Sequence, residues 1–197
     1  MKHFFSVEDV QNLPELLKKA LEIKSNPLAD LQYGKNKTLG LIFFNPSLRT
    51  RMSSQKAAYN LGMNVITMNV GSDGWQLETE EGAIMNGGKA EHIKEAAMVM
   101  SAYCDVIGIR CFAGLEDKAE DDAEKVLMGF MKFATVPIIN LESSTLHPLQ
   151  SFADLITIES FKKVQKPKVV LTWAPHPKAL PQAVPNSFAQ WMNATDY

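Results

Sequence analysis

The chain lacks the features of several large classes of protein. Its 197 residues include two cysteines, Cys104 and Cys111, which are too few for a disulfide framework and typical of a reduced, cytoplasmic protein. No apolar run is long enough to span a membrane, and residues 1–12 show no signal peptide. The net charge of −2 gives no general reason to expect nucleic acid or an anionic membrane as a partner.

Two common nucleotide-binding sequences are also missing. Neither G-x-x-x-x-G-K-[ST] nor G-x-G-x-x-G occurs, which excludes the nucleotide P-loop and the dinucleotide fingerprint. The histidines have no close ligand spacing, so we expect no metal site and no cofactor. Cys104 and Cys111 flank an apolar run and are interpreted as packing residues, and no pair of an enzyme nucleophile and its base stands out.

What is present is an alternation of short apolar runs with helical patterns. The apolar runs, which predict strands, cover residues 38–44, 64–70, 104–111 and 136–141. The helical patterns cover residues 7–24, 47–61, 91–103, 121–133 and 146–163. Because strands buried on both faces are apolar throughout and helices provide their crossovers, the pattern predicts an α/β fold, a parallel sheet with helices on both faces.

The pattern restarts after Pro167. We expect a strand at 168–174, a proline-dense loop and a helix at 186–193. This organisation predicts a first domain over 1–150, a linking helix over 151–166 and the start of a second α/β domain over 167–197. A single βα unit cannot bury its own apolar face, so the second domain is expected to be truncated or to depend on further chain.

The segment after the first strand predicts an anion site. Ser47 is a good helix N-cap, but Arg49 and Arg51 fall in the first helical turn, where a cation is unfavourable by about 0.3–1 kcal/mol. Together with backbone N–H groups and the hydroxyls of Ser47 and Thr50, these guanidinium groups could hold a phosphate. The alternative is that both arginines point to solvent along the helix.

Residues 47–51 (Ser-Leu-Arg-Thr-Arg) resemble the S-x-R-T-R motif of the aspartate and ornithine transcarbamylases. Further matches follow in the family's order: Trp75 in a loop over 71–82, Arg110 at the end of the third strand, and an H-P-x-Q motif at 147–150. The resemblance covers the first domain. It implies a carbamoyl-phosphate-binding domain in a homotrimer, with Trp75 reaching a neighbouring subunit's site.

The resemblance also implies roles for single residues. The phosphate would be held by Ser47, Leu48, Arg49, Thr50 and Arg51, and covered by Trp75. Thr50, Arg110 and His147 would polarise the carbonyl oxygen, and Gln150 would bind the carbamoyl amide. The family's H-C-L-P motif is missing from this sequence. A non-catalytic fragment that binds carbamoyl phosphate is therefore an alternative to an active enzyme.

The proline-rich stretch over 172–187 resembles the branch that uses N-acylated ornithine in arginine biosynthesis. In that branch Glu142, His176 and Asn186 would contact the amine substrate. The alternatives are a stiff surface linker and a plain ornithine enzyme. The N-acetylornithine enzymes tend to carry a glutamate where Ala90 stands, which would repel a succinyl carboxylate. The sequence therefore favours N-succinyl-L-ornithine as the second substrate, with N-acetyl-L-ornithine next.

Overall fold

A sheet of four parallel strands forms the centre of the molecule. The computed structural model describes residues 2–74, 76–80 and 82–197. Its strands are β1 (Thr38–Phe43), β2 (Asn64–Asn69), β3 (Leu77–Glu78), β4 (Glu91–His92), β5 (Val106–Arg110) and β6 (Ile138–Glu142). The main sheet has the order β2-β1-β5-β6, and β3 pairs with β4 in a separate two-stranded ladder. The parallel sheet expected from the apolar runs is confirmed.

Helices cover both faces of this sheet. They are α1 (Leu13–Ser25), α2 (Arg49–Asn60), α3 (Ile93–Tyr103), α4 (Lys118–Asp122), α5 (Lys125–Phe133), α6 (Pro148–Phe161) and α7 (Ala183–Asn193). Within the described ranges, no helix combines the length and the apolar character needed to cross a bilayer. The expected α/β architecture, with helices on both sides of a parallel sheet, is therefore confirmed.

Strand β1 contributes side chains to two separate hydrophobic clusters, because successive residues point to opposite faces of the sheet. Leu41 and Phe43 pack in one cluster with Ala58 of α2. Ile42 packs in the other cluster with residues of α3 and α5, including Phe130. A strand buried on both sides is fixed in register, since a shift by one residue would exchange the faces of all its side chains.

A β-bulge lies between β5 and β6 at the carboxyl end of the sheet. Ile109 pairs with Asn140, but the next residue, Arg110, pairs with Glu142, so Leu141 is the extra residue. Without this bulge, Arg110 would stand opposite an apolar side chain. The irregularity instead brings two opposite charges face to face at the edge where parallel α/β sheets bind ligands.

The predicted strand over 168–174 is wrong. No strand forms there, and Val170, Leu171 and Trp173 are exposed. A strand requires a hydrogen-bonding partner, and an apolar run without one does not form a ladder. The helix predicted at 186–193 does form, and it begins three residues earlier, at Ala183.

Three helix predictions need smaller corrections. The helix expected over 7–24 is a short 3₁₀ turn followed by α1, because the side chain of Asn12 caps a new helix start. The helix expected over 121–133 is divided into α4 and α5 at Glu124, whose φ of 51° is left-handed. The N-cap of α2 is Leu48 and not Ser47 as predicted. The Ser47 hydroxyl, one residue earlier, still accepts a hydrogen bond from the Thr50 N–H.

Candidate functional site

Four residues at the carboxyl edge of the sheet lie in one row across its strands. Asn69 of β2 pairs with Phe43 of β1, Phe43 pairs with Arg110 of β5, and Arg110 pairs with Glu142 of β6. Because all four strands are parallel, the loops that follow them meet at this edge. The residues that the sequence singled out from three different segments are thereby brought to one side of the molecule.

Arg110 is the centre of this edge. Its guanidinium donates hydrogen bonds to Glu142 Oε2 from Nε at 3.3 Å and from Nη2 at 3.0 Å. Its Nη1 donates to the backbone oxygen of Pro46 at 2.6 Å, and the group lies 3.9 Å from the centroid of the Phe112 ring. The arginine therefore connects the loop that precedes α2 to the end of β6.

Glu142 and His147 form the other half of this cluster. Glu142 Oε2 lies 3.6 Å from His147 Nε2, and both side chains are largely buried. Burial raises the pKa of Glu142, against the opposing effect of Arg110. Burial, reinforced by the positive charge of Arg110, lowers the pKa of His147 to about 4. The imidazole is therefore neutral at physiological pH.

His147 is held at the start of α6 by its backbone. Its N–H donates to Ser187 Oγ of α7 at 2.8 Å, and Pro148 occupies the first helical position. The Nδ1 atom is buried and has no hydrogen-bond partner among the described residues. A neutral imidazole that has an unpaired nitrogen retains hydrogen-bonding capacity that a ligand can use.

The first turn of α2 carries the other two arginines of the chain. The chain contains only three arginines, Arg49, Arg51 and Arg110. Arg51 donates to Asn69 Oδ1 and lies 4.9 Å from the centroid of the Phe43 ring. Arg49 is exposed and has no hydrogen-bond or ion-pair partner in the part of the chain that the structure describes. Arg51 thus contacts the same sheet edge as Arg110, and Arg49 lies exposed in the helical turn that follows β1 at this edge.

His176 and Asn186 lie at a different cavity. They line a space of about 460 Å³ together with Ser144, Thr145 and Trp173. The Asn186 amide donates to the Thr145 backbone oxygen at 3.2 Å, which joins this cavity to the loop between Glu142 and His147. The two expected amine-substrate residues are therefore adjacent to the Arg110 cluster but make no contact with its charged groups.

Three other expected site residues form no hydrogen bond or ion pair with the Arg110 cluster within the described part of the chain. Gln150 is exposed and donates to Asp154 at 3.0 Å. Ala90 is exposed just before β4, and Leu48 is exposed beside α2. Trp75 lies outside the described residues.

Sequence reasoning missed several residues that build this site. Asn69 was recognisable in principle, because a polar residue ends a buried strand at the ligand-binding edge. Asn45, whose Oδ1 accepts the Phe112 N–H at 2.7 Å, follows β1 in the same way. Ser187 and Glu124 gave no comparable signal, since their partners are distant in sequence.

Comparison with known proteins identifies relatives over the whole chain. A family profile described as "Aspartate/ornithine carbamoyltransferase, carbamoyl-P binding domain" matches residues 2–160. The N-succinylornithine carbamoyltransferase of Bacteroides thetaiotaomicron is 56% identical over 197 residues, which is 100% of this chain and 62% of that protein. The N-acetylornithine carbamoyltransferase of Xanthomonas axonopodis pv. citri is 38% identical over 95% of this chain and 55% of its own length.

A solved structure gives the same result for the fold. It is an N-acetyl-L-ornithine transcarbamylase in which one glutamate is replaced by alanine, complexed with carbamyl phosphate and N-succinyl-L-norvaline. The TM-score is 0.87 with 40% identity, over 95% of this chain and 57% of that one. This chain thus spans less than two thirds of the length of these relatives.

The depressed pKa of His147 predicts an acid-sensitive fold. A histidine with a pKa of about 4 in the folded state and 6.5 in the unfolded state favours unfolding as the pH falls from 6.5 towards 4. Between pH 7 and pH 5 this one group should cost on the order of 2 kcal/mol of stability. Urea unfolding of wild type and His147→Gln at both pH values measures it. An equal loss in the two proteins would contradict the assignment.

Proposed function

The chain belongs to the aspartate/ornithine carbamoyltransferase family, and we propose that the protein transfers a carbamoyl group from carbamoyl phosphate to the δ-amine of an N-acylated ornithine. The favoured acceptor is N-succinyl-L-ornithine, and N-acetyl-L-ornithine comes next. The products are the N-acylcitrulline and phosphate. The activity is proposed for the complete polypeptide that contains these residues, since the chain spans 62% of the succinylornithine relative.

The observation that carries the proposal is the concentration of all three arginines at one sheet edge, beside a neutral histidine. Carbamoyl phosphate presents a phosphate dianion and a carbonyl that must become more electrophilic. Two arginines in the first turn of α2 suit the phosphate, because that turn also offers N–H groups and hydroxyls. Arg110 and His147 suit the carbonyl oxygen, because both can donate hydrogen bonds in a largely buried setting.

In the proposed reaction no enzyme nucleophile is required. The unprotonated δ-amine attacks the carbonyl carbon, and the carbonyl oxygen becomes an oxyanion. The C–O bond to phosphate then breaks, and the proton lost by the attacking nitrogen passes to the phosphate, which leaves as HPO₄²⁻. Thr50, Arg110 and His147 stabilise the oxyanion, while Gln150 binds the carbamoyl amide and Trp75 of a neighbouring subunit closes over the phosphate. Because His147 is neutral, it donates a hydrogen bond without placing a second cation beside Arg110. Positioning and charge stabilisation supply the rate enhancement.

The proposed amine site lies on the Glu142 side of the cluster. Glu142 would bind the α-acylamino group of the acceptor, and His176 and Asn186 line the neighbouring cavity of about 460 Å³. Free ornithine would bring a charged α-ammonium to a place where the Glu142 carboxylate is already paired with Arg110, so its desolvation would be poorly compensated. This supports an acylated acceptor over plain ornithine.

Arg49→Ala should abolish most carbamoyl-phosphate binding and leave the fold intact. Arg49 makes no contact that the fold needs, so only the ligand contact is lost. A charge-assisted phosphate contact is worth on the order of 2–3 kcal/mol, which corresponds to roughly 30- to 150-fold in affinity. Isothermal titration calorimetry measures the change, with Lys56→Ala on the same helix as a control of equal charge. Equal affinities in wild type and Arg49→Ala would refute the phosphate assignment.

Ala90→Glu should move the acceptor preference from succinylornithine towards acetylornithine. A glutamate at this position would repel the succinyl carboxylate, and the Glu→Ala variant of the N-acetyl enzyme that is complexed with N-succinyl-L-norvaline supports such a role. We expect the ratio of kcat/KM values for the two acceptors to change by at least roughly tenfold. Ala90→Gln, which has the same size without the charge, is the control. The hypothesis fails if wild type already prefers acetylornithine or if both variants change the ratio equally.

The complete protein should be a homotrimer with its sites at subunit contacts. β2 is an edge strand whose Ile66 is exposed, and Val99 and Tyr103 of α3, which are also exposed, line the same surface cavity as Ile66. Such patches are typical of interfaces, and a second copy is the proposed occupant. Light scattering should give a trimer for wild type and Tyr33→Glu but a smaller species for Tyr103→Glu. A monomeric wild type would rule out the trimer.

A further inference from the structure

Glu124 has an unusual position for a glutamate. It is 7% exposed and occupies the break between α4 and α5, with φ 51° and ψ 34°. Residues with a Cβ rarely adopt this left-handed conformation, and a non-glycine residue that holds it indicates a constraint from the surrounding structure. The backbone turn directs the carboxylate inward, away from the exposed face of α4.

Among the described residues, the hydrogen bonds to this carboxylate all come from one loop. Oε1 accepts from Ser143 Oγ at 2.7 Å, from the Thr145 N–H at 2.8 Å and from Thr145 Oγ1 at 2.7 Å. Oε2 accepts from the Ser144 N–H at 3.3 Å. Three consecutive loop residues are thus fixed by a single side chain from a different part of the fold.

This loop joins two groups of the proposed site. Glu142 is the residue before it, and His147 closes it at the start of α6. On the opposite side the loop is held by α7, through the bonds of Asn186 to Thr145 and of His147 to Ser187. The distance between the Glu142 carboxylate and the His147 ring therefore depends on the 143–147 loop, which is hydrogen-bonded to Glu124 on one side and to α7 on the other.

We propose that Glu124 is a positioning residue for the transfer reaction, which holds the 143–147 loop so that His147 stays buried against Glu142 and Arg110. The proposal rests on the proposed function for its role in catalysis. Its structural part concerns only the histidine and can be tested without a substrate. Glu124 does not touch the reacting atoms and acts through the loop.

The His147 ring reports the state of the loop. Its pKa of about 4 results first from burial and then from Arg110, and the charged groups facing it are Glu142 and Arg110. When the loop relaxes, the ring gains water and its pKa rises towards 6.5. Loss of the Glu124 charge alone would lower the pKa of a nearby histidine. An upward change therefore identifies relaxation of the loop.

The test is an NMR titration of the ring protons in the chain's four histidines, with His147 assigned from His147→Gln. Glu124→Ala should raise the His147 midpoint by at least about one pH unit, and Glu124→Gln and Thr145→Val by less. Glu120→Ala, which removes an exposed carboxylate from the same segment, should leave the midpoint unchanged. A purely structural role would lower the melting temperature without moving the midpoint of the folded protein.

An unchanged midpoint in folded Glu124→Ala would overturn the proposal. If that variant does not fold, unchanged midpoints in both Glu124→Gln and Thr145→Val would overturn it equally. Carbamoyl-phosphate affinity is measured on the same proteins, and we expect it to fall at least roughly tenfold in the variants whose midpoint rises. If wild type does not bind carbamoyl phosphate, the proposed function fails, whereas the titration still decides whether Glu124 positions His147.

Discussion

The buried ion pair between Arg110 and Glu142 is the interaction on which the rest of the site depends. Their side chains are 9% and 11% exposed, and two N–H groups of the guanidinium reach the same carboxylate oxygen. Removing one partner of such a pair leaves an uncompensated charge and typically costs about 3–5 kcal/mol. The bulge between β5 and β6 makes the pair possible, and the loop before α2 completes it through the Pro46 carbonyl.

The same pair divides the site into two chemically different halves. On the β1 side lie the cations and hydroxyls of the first turn of α2, which suit an anion. On the β6 side lie a carboxylate that is already paired with Arg110 and a neutral histidine, which suit an uncharged polar group. Arg110 stands between them, where a carbonyl that is bound by its phosphate on one side would meet an amine from the other. This distribution of charge agrees with direct transfer of the carbamoyl group to the amine, without a covalent enzyme intermediate.

The sequence was sufficient to predict the sheet, because strands buried on both faces leave uninterrupted apolar runs. It also indicated Arg49, Arg51, Arg110 and His147, since each belongs to a short motif next to a strand end. It could not predict contacts that depend on distant partners. The bulge at Leu141, the left-handed Glu124 and the bond from His147 to Ser187 leave no local pattern. The strand predicted over 168–174 is wrong because apolar character does not specify a pairing partner.

The proposed function requires one anionic ligand to engage all three arginines at the edge of the sheet. Labelling with ¹⁵N-arginine gives a spectrum with three Nε–H signals, one for each arginine of the chain. Titration with carbamoyl phosphate should move all three signals with a single common dissociation constant, whereas acetate at equal ionic strength should not. If the Arg110 signal stays fixed while carbamoyl phosphate saturates the protein, the ligand does not occupy this edge and the proposed function is contradicted.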